Sequence, residues 1–242
     1  MPISWYEDYL LANAEVFIQG GIRAIKIQDE TGETGPATQQ TVARMSVLGR
    51  LFRRSFPDIH LGIIVQAHDA IAPLAIADAV DADFVRLKIF VGAAVNAEGL
   101  RQALSVEATD YRSLLERKDI QILADVHDRT CQPLSPVPHE AAALWAQNMG
   151  ADALVLTGAT FEDSLARVTA ARNAGVSRPI VIGGSVTAQN IRQALQVADS
   201  VVVSTSLLKR GARDDLVQWD VAEVEKLVAA VEADGPSTGG RP

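Results

Sequence analysis

The feature of this chain that most restricts its fold is a regular alternation of short strand patterns with helical patterns. Seven short apolar runs are each followed by a segment with apolar residues at helical spacing. Apolar strands joined to helices by short connections predict a parallel sheet, because such strands are covered on both faces. The strands are predicted at residues 23–28, 60–65, 84–91, 120–126, 153–156, 180–182 and 200–203.

Two architectures suit this alternation, an eight-stranded barrel and an open doubly wound sheet. The barrel is favoured because the units are evenly sized, at roughly 25 to 40 residues each, and because no Gly-x-Gly-x-x-Gly follows the first strand. The chain begins on a helix, and four residues before Trp5 are too few for a strand. We therefore predict a TIM (β/α)8-type barrel that lacks its first strand or is irregular there. Helices are predicted at residues 5–19, 41–56, 71–79, 98–117, 140–149, 162–173, 188–195 and 221–231.

The unbroken alternation predicts one domain over residues 1–234, and the Gly/Pro/Ser-rich residues 235–242 are expected to be a flexible tail. A net charge of -8 argues against a nucleic-acid partner, because that binding depends on clustered Lys and Arg. The single Cys131 excludes an intrachain disulfide and favours a reducing, cytoplasmic setting. We find neither a signal-peptide pattern nor an apolar run of the roughly 20 residues that a membrane helix needs.

Polar side chains stand at the carboxyl ends of several predicted strands. The strand at residues 120–126 ends in Asp125 and His127, which a buried strand has no structural reason to carry. In a parallel barrel the carboxyl ends of the strands converge on one face. We therefore expect a site suited to proton transfer near an anionic substrate. Its predicted members from the other strands are Lys26, Gln28, Asp29, Glu30, His68, Asp69, Arg86, Lys88 and Thr157.

Two interpretations of these residues stay open. In the first, Asp125 and His127 are an acid/base pair, and Asp29 is a further catalytic residue. Lys88 then stabilises charge or forms a Schiff base. In the second, the residues form a structural ion-pair network, in which Asp125 or Asp29 is the counter-charge of Arg86, because a buried cation without a partner is costly.

The histidines predict different surroundings. His60 opens a strand at the opposite rim and His139 lies in a proline-containing loop, so both are expected at the surface. A zinc site made by His68, His127 and Asp125 is an alternative, although the spacing is not diagnostic. We expect no cofactor, and a divalent metal stays an open alternative.

A second signal follows the last two strands, where barrels commonly bind phosphate. Glycines let backbone amides approach an anion closely, and a helix start behind them adds its positive end. The alternative is that the glycines only make the turn and Thr187 caps the next helix. The predicted anion-binding residues are Gly183, Gly184, Ser185, Ser204, Thr205 and Ser206.

These motifs together resemble the BtpA/SgcQ family over residues 5–231. Leu123-Ala-Asp-Val-His127 is the most specific of them. The resemblance implies the fold of the ribulose-phosphate-binding barrels. One group of that family is linked to photosystem I assembly and another is encoded with sugar-uptake genes. The remaining matching segments are residues 62–70, Ala82-Asp-Phe-Val-Arg-Leu-Lys88 with 91–93, 151–158, Val181-Ile-Gly-Gly-Ser-Val-Thr187 and 198–207.

The chain departs from the family pattern at several positions near the expected site. The family has Glu-Asn at Gln28-Asp29, Arg-Asn-Asp at residues 67–69, and Asn at Lys88. Its opening strand has no counterpart here. Our leading hypothesis is an enzyme, a lyase, isomerase or glycosidase, that acts on a small phosphorylated or anionic sugar-like metabolite. The alternative is a non-catalytic assembly or scaffold protein; in either case we expect a homo-oligomer.

Overall fold

The structure is a computed structural model that describes residues 1–31, 35–127, 130–134, 137–212 and 215–232. The predicted tail at residues 235–242 lies outside the described residues. The elements in chain order are α1 (Ile3–Gln19), β1 (Ala24–Gln28), α2 (Gln39–Ser55), β2 (His60–Ile64), α3 (Ile71–Val80), β3 (Phe84–Leu87), β4 (Ala93–Asn96), β5 (Gly99–Gln102), α4 (Ser105–Leu114), β6 (Gln121–Val126), β7 (Gln132–Pro133), α5 (His139–Asn148), β8 (Ala153–Leu156), α6 (Phe161–Asn173), β9 (Ile180–Ile182), α7 (Ile191–Leu195), β10 (Ser200–Val201), a 3-10 turn (Thr205–Leu207) and α8 (Val221–Glu232).

Seven strands form one parallel sheet in the order β1-β2-β3-β6-β8-β9-β10. Residues at the carboxyl ends of both edge strands, including Lys26 and Val202, line the same central cavity, so the sheet is curled. Within the described residues no strand lies between β10 and β1. The predicted TIM-type barrel, irregular at its first strand, is confirmed.

Helices cover the outside of the gap between the edge strands. The end of α1 touches α8 so closely that a Cβ on Gly20 would lie 2.3 Å from a methyl of Val224. The buried Asn13 donates its amide to the Leu216 carbonyl and accepts from the Gln218 N–H, at 2.7 and 2.8 Å. Leu216 and Gln218, which lie between β10 and α8, are thereby held against α1.

The apolar core has two parts, which follow from the strand pattern. The larger part lies between the sheet and the helices and includes the fully buried Ile122, Leu154 and Ile182. A small separate cluster of Ala153, Val155 and Val181, with Leu123 and Val202 packed against it, fills the interior of the barrel. Side chains alternate between these two parts because successive residues of a strand point to opposite faces. This interior cluster forms an apolar floor beneath the polar strand ends.

The region after β3 corrects the predicted helix at residues 98–117. Residues 93–102 instead form the antiparallel pair β4 and β5, and β7 pairs with β4. Asn96 accepts the Glu98 N–H in the turn, and Gly99 has a φ of 108°, which is the left-handed region that favours glycine. The helix α4 therefore starts only at Ser105. Among the described residues, no helix is both long and apolar enough to cross a membrane.

Candidate functional site

The carboxyl ends of the parallel strands surround a cavity of about 520 Å³. Polar side chains from β1, β3 and β6 form one side of it, and the loops after β9 and β10 form the other. Most of the predicted site residues therefore meet at this cavity. The ones that line it are Lys26, Gln28, Glu30, Arg86, Lys88, Asp125, His127, Thr157, Gly183, Gly184, Ser185, Ser204 and Thr205.

Asp125 and Arg86 form an ion pair inside the barrel. A guanidinium nitrogen of Arg86 donates to Asp125 Oδ1 at 2.7 Å, and Nε of Arg86 lies within 3.2 Å of both carboxylate oxygens. Asp125 is 7% exposed. Because Asp125 is buried, loss of either partner would leave an uncompensated buried charge. We therefore expect the ion pair to be present throughout the folded state. Asp125 therefore holds Arg86 in place, as one of the two sequence interpretations expected.

Lys26 reaches the cavity from the edge strand β1. Its amine donates to the Gln28 side-chain carbonyl at 3.1 Å. Burial, aided by the nearby Arg86 cation, lowers the pKa of Lys26 from 10.5 to about 8, while the Asp125 carboxylate opposes this shift. An amine with this pKa titrates at pH values just above neutral.

Lys88 stands at the border between the central cavity and a neighbouring one. Its amine donates to the Gln66 side chain. Ile89, the next residue, has a φ of 46°, so the chain leaves β3 through a left-handed residue immediately after Lys88. Lys88 therefore contributes a cation to the edges of both cavities.

His127 contacts a second histidine that the sequence interpretation had assigned to the surface. His127 has a φ of 54°, and its Nδ1 lies 2.6 Å from Nδ1 of His139, the first residue of α5. Burial lowers the pKa of both rings, and Arg167 contributes to both shifts. The predicted surface position of His139 is wrong, because α5 begins one residue earlier than expected and brings the ring over the end of β6. The two neutral rings share one hydrogen bond.

The loop after β9 approaches the ion pair closely. A Cβ on Gly183 would lie 2.2 Å from Thr157 Oγ1 and 3.5 Å from Arg86, so only glycine fits there. Asn190 fixes the loop, because it accepts the Thr187 N–H and donates to the Ser185 carbonyl. The helix that follows has five residues. Its dipole is therefore small, and so is the positive charge that we expected at its amino end behind this loop.

Ser206 differs from the other predicted anion-binding residues. Its hydroxyl donates to the Val186 carbonyl at 3.0 Å and so links the loops after β9 and β10. Ser204 and Thr205 line the cavity directly. An anion at this wall would meet the loop residues 183–185 and 204–205.

Asp29 and Asp69 hold backbone rather than facing the central cavity. Asp29 accepts the N–H groups of Gln66 and Thr31, at 2.7 and 3.3 Å, and is buried. Asp69 accepts the N–H groups at the start of α3, from Ile71 and Ala72. These bonds give both carboxylates a structural role at the strand ends.

A second cavity of about 420 Å³ adjoins the first below the β4–β5 hairpin. His68 and Asp69 line it, together with Glu98 and Arg101, which form an ion pair. Burial, followed by the Arg101 cation, lowers the pKa of His68. Sequence reasoning missed Glu98 and Arg101 because it placed them in a helix. The Asn96-to-Gly99 turn was the signal that would have revealed the hairpin.

The suggested zinc ligands do not meet at one point. His68 lines the second cavity, Asp125 binds Arg86, and His127 binds His139. In the part of the chain that the structure describes, no group of three or more His, Cys, Asp or Glu side chains could hold a metal ion. The donor set therefore does not fit a zinc site in these residues.

Comparison with known proteins places the chain in a family. The model of the BtpA family matches residues 3–233. An uncharacterized protein of Archaeoglobus fulgidus is 31% identical, over 93% of this chain and 89% of its own length. The photosystem I biogenesis protein BtpA of Synechocystis is 34% identical, over 71% of this chain and 60% of its own length.

A solved structure gives the same picture of the fold. N-(5'-phosphoribosyl)anthranilate isomerase from Pyrococcus furiosus superposes with a TM-score of 0.56 and 14% sequence identity, over 91% of this chain and 94% of that protein. At this identity the likeness concerns the fold alone. It supports a TIM-type barrel and makes no statement about chemistry.

Proposed function

We propose a function from one premise: the chain belongs to the BtpA family. The protein is an enzyme that binds a small phosphorylated or otherwise anionic sugar-like metabolite in the central cavity and acts on it by proton transfer. The anion lies against the loops after β9 and β10. The reacting part of the substrate lies toward Lys26 and His127.

The charge of the cavity carries this proposal. Among its described lining residues, three cations oppose two carboxylates, whereas the whole chain has a net charge of -8. Cations that gather in a concave site raise the local concentration of anions there. The lining charges are Lys26, Arg86 and Lys88 against Glu30 and Asp125.

The polar groups divide into binding and proton-transfer roles. Arg86, fixed by Asp125, supplies a permanent positive charge, because a guanidinium does not lose its proton in proteins. His127 is held by His139, and its lowered pKa leaves it neutral and able to accept a proton at pH 7. This arrangement suits acid/base chemistry on a bound anion.

Titration calorimetry with inorganic phosphate and a series of sugar phosphates tests the proposal. Ser204→Asp places a carboxylate at the anion wall, and we expect it to weaken binding about tenfold or more, equivalent to about 1.4 kcal/mol. Ser113→Asp, an exposed position on α4, is the matched control and should bind as the wild type does. Equal binding by both variants, or no binding of any anion by the wild type, would contradict the proposal.

An assembly role is the second candidate, favoured by the name of the Synechocystis relative. Large apolar side chains on the outer helices would supply the docking surface: Leu114 is 76% exposed and Trp145 is 46% exposed. Expression of variants in a Synechocystis strain that lacks its own relative separates the two functions. An assembly role requires that Trp145→Glu fails to restore photosystem I while His127→Ala succeeds; the opposite pattern favours the enzyme.

A further inference from the structure

We propose that Lys26 is a catalytic residue whose amine adds to a carbonyl carbon of the substrate, so the bound anion carries an aldehyde or ketone. This inference rests on the proposed function and specifies its substrate class. The sequence had suggested Lys88 as the Schiff-base amine. The structure assigns that role to Lys26 on the grounds of position, surroundings and charge.

Lys26 lines the central cavity, and an aromatic side chain lies beside it in the same layer of the barrel. Lys26 pairs with Gly62 of β2, which pairs in turn with Phe84 of β3. Residues in register on parallel strands point to the same face. The Phe84 ring fills the space over Gly62, since a Cβ there would lie 2.1 Å from the ring. The side chain next to Lys26 in its own layer is therefore an aromatic ring.

Burial and the charges around Lys26 together favour its neutral form more than water does. Burial has the largest effect, Arg86 adds to it and Asp125 opposes it, which together set the pKa at about 8. Asp125 is already bound to Arg86, so its negative charge is shared. About half of the amine is neutral at pH 8, and only the neutral amine is a nucleophile. Among the described residues, the other charged or titratable groups that line the cavity are Glu30, Lys88 and His127.

The step that we propose balances without an oxidant or a reductant. The lone pair of the neutral Lys26 nitrogen forms a bond to the carbonyl carbon as the carbon–oxygen π bond breaks, and one proton of that nitrogen passes to the oxygen. The same oxygen then accepts a second proton from water, the carbon–oxygen single bond breaks and water leaves, while the remaining nitrogen lone pair forms a carbon–nitrogen double bond. The iminium carries one positive charge and withdraws electrons from the adjacent carbon. A base such as His127, which lines the same cavity, then removes a proton from that carbon.

Pyridoxal 5'-phosphate is a suitable probe for the full-length chain, because it combines an aldehyde with a phosphate. Borohydride reduces the imine to a stable adduct that peptide mass spectrometry assigns to one lysine. We expect the adduct on Lys26, with a labelling rate that is half-maximal near pH 8 and that inorganic phosphate slows. Lys26→Arg should lose this adduct. Lys88→Met should still form the adduct on Lys26, but more slowly, because one of the cavity cations is removed. The surface variant Lys118→Met should form it at the wild-type rate.

The outcomes separate this inference from the proposed function. An adduct on Lys88 or on surface lysines, with Lys26 unmodified in the folded wild type, overturns the role of Lys26. Titration calorimetry with phosphate on the same sample then tells whether anion binding persists. Equal labelling of Lys26 by pyridoxal, which has no phosphate, and no protection by phosphate would overturn the anionic substrate. The wild-type measurements do not depend on the folding of any variant.

Discussion

The two ends of the barrel carry the same kinds of charged residue but use them differently. At the amino ends of the strands, Asp83, Asp152 and Asp199 each directly precede a strand, β3, β8 and β10 respectively. Each carboxylate accepts a backbone N–H from the start of the neighbouring strand. Each also binds an arginine of the helix that leads into that neighbouring strand. Asp83 accepts from the Leu61 N–H and from Arg53, Asp152 from the Ile122 N–H and from Arg112, and Asp199 from the Ile180 N–H and from Arg172.

At the carboxyl ends, Asp29 and Asp69 also accept backbone N–H groups, but the cationic side chains face a cavity. Arg86 has the Asp125 carboxylate, but Lys26 and Lys88 donate to the neutral amides of Gln28 and Gln66. An amide neutralises no charge, so these two cations keep their attraction for a ligand. The comparison indicates that the amino end is built for stability and the carboxyl end for binding. The following experiments test it at particular residues.

Arg86→Met should have the largest effect on stability. It leaves Asp125, whose side chain is 8% exposed, without its guanidinium partner, and we expect a loss of about 3 to 5 kcal/mol in the free energy of unfolding. Urea unfolding at pH 7.5 measures this loss. The double variant Arg86→Met/Asp125→Leu should recover most of it, because it removes both charges. A loss of less than about 1 kcal/mol in the single variant would show that water reaches the pair.

Asp152→Ala tests the amino end. It removes the acceptor of the Ile122 N–H and the carboxylate partner of Arg112, which still donates to the Ile120 carbonyl, and we expect a loss of about 2 kcal/mol. Asp119→Ala is the matched control, because the Asp119 side chain is 63% exposed and also binds an arginine. Its loss should be about 0.5 kcal/mol or less. Similar losses in urea unfolding of the two variants would refute the idea of a stabilising amino end.

The His127–His139 pair should make stability depend on pH. The pKa of both rings is lowered in the folded protein, so the unfolded chain takes up protons first as the pH falls. The contribution is complete above about pH 6.5, the ordinary value for histidine, and decreases as the pH falls through the folded values. His139→Gln should reduce the decrease in melting temperature between pH 7.5 and 5.5. An unchanged decrease would place the effect in other groups.

Ser206→Ala should have the smallest effect and sharpens the boundary of the anion wall. The hydroxyl bonds to the Val186 carbonyl, so its loss should cost about 1 kcal/mol in unfolding. Phosphate affinity in titration calorimetry should stay within twofold of the wild-type value. A large loss of affinity would return Ser206 to the set of anion-binding residues.

Local patterns predicted the elements that depend on local chemistry. The strands at Ala153–Leu156 and Ile180–Ile182 begin and end where the apolar runs do, because strands covered on both faces need an unbroken apolar stretch. The hairpin at residues 93–102 was missed, because residues from Glu98 onward also suit the start of a helix. The turn residues distinguish a hairpin from a helix here, but our interpretation gave more weight to the helical spacing of the apolar residues.

The sequence by itself predicted a parallel barrel, favoured over an open sheet by evenly sized strand–helix units, and placed Lys26, Arg86, Lys88, Asp125 and His127 at the carboxyl ends of its strands. The position of a residue along its strand gives the end, and strand periodicity gives the face. The tertiary structure alone decided which of these groups contact each other. Arg86 forms an ion pair with Asp125, His127 forms a hydrogen bond with His139, and burial lowers the pKa of the Lys26 amine. Such pairings join residues on different elements, and their energies depend on burial and distance, which no local pattern contains.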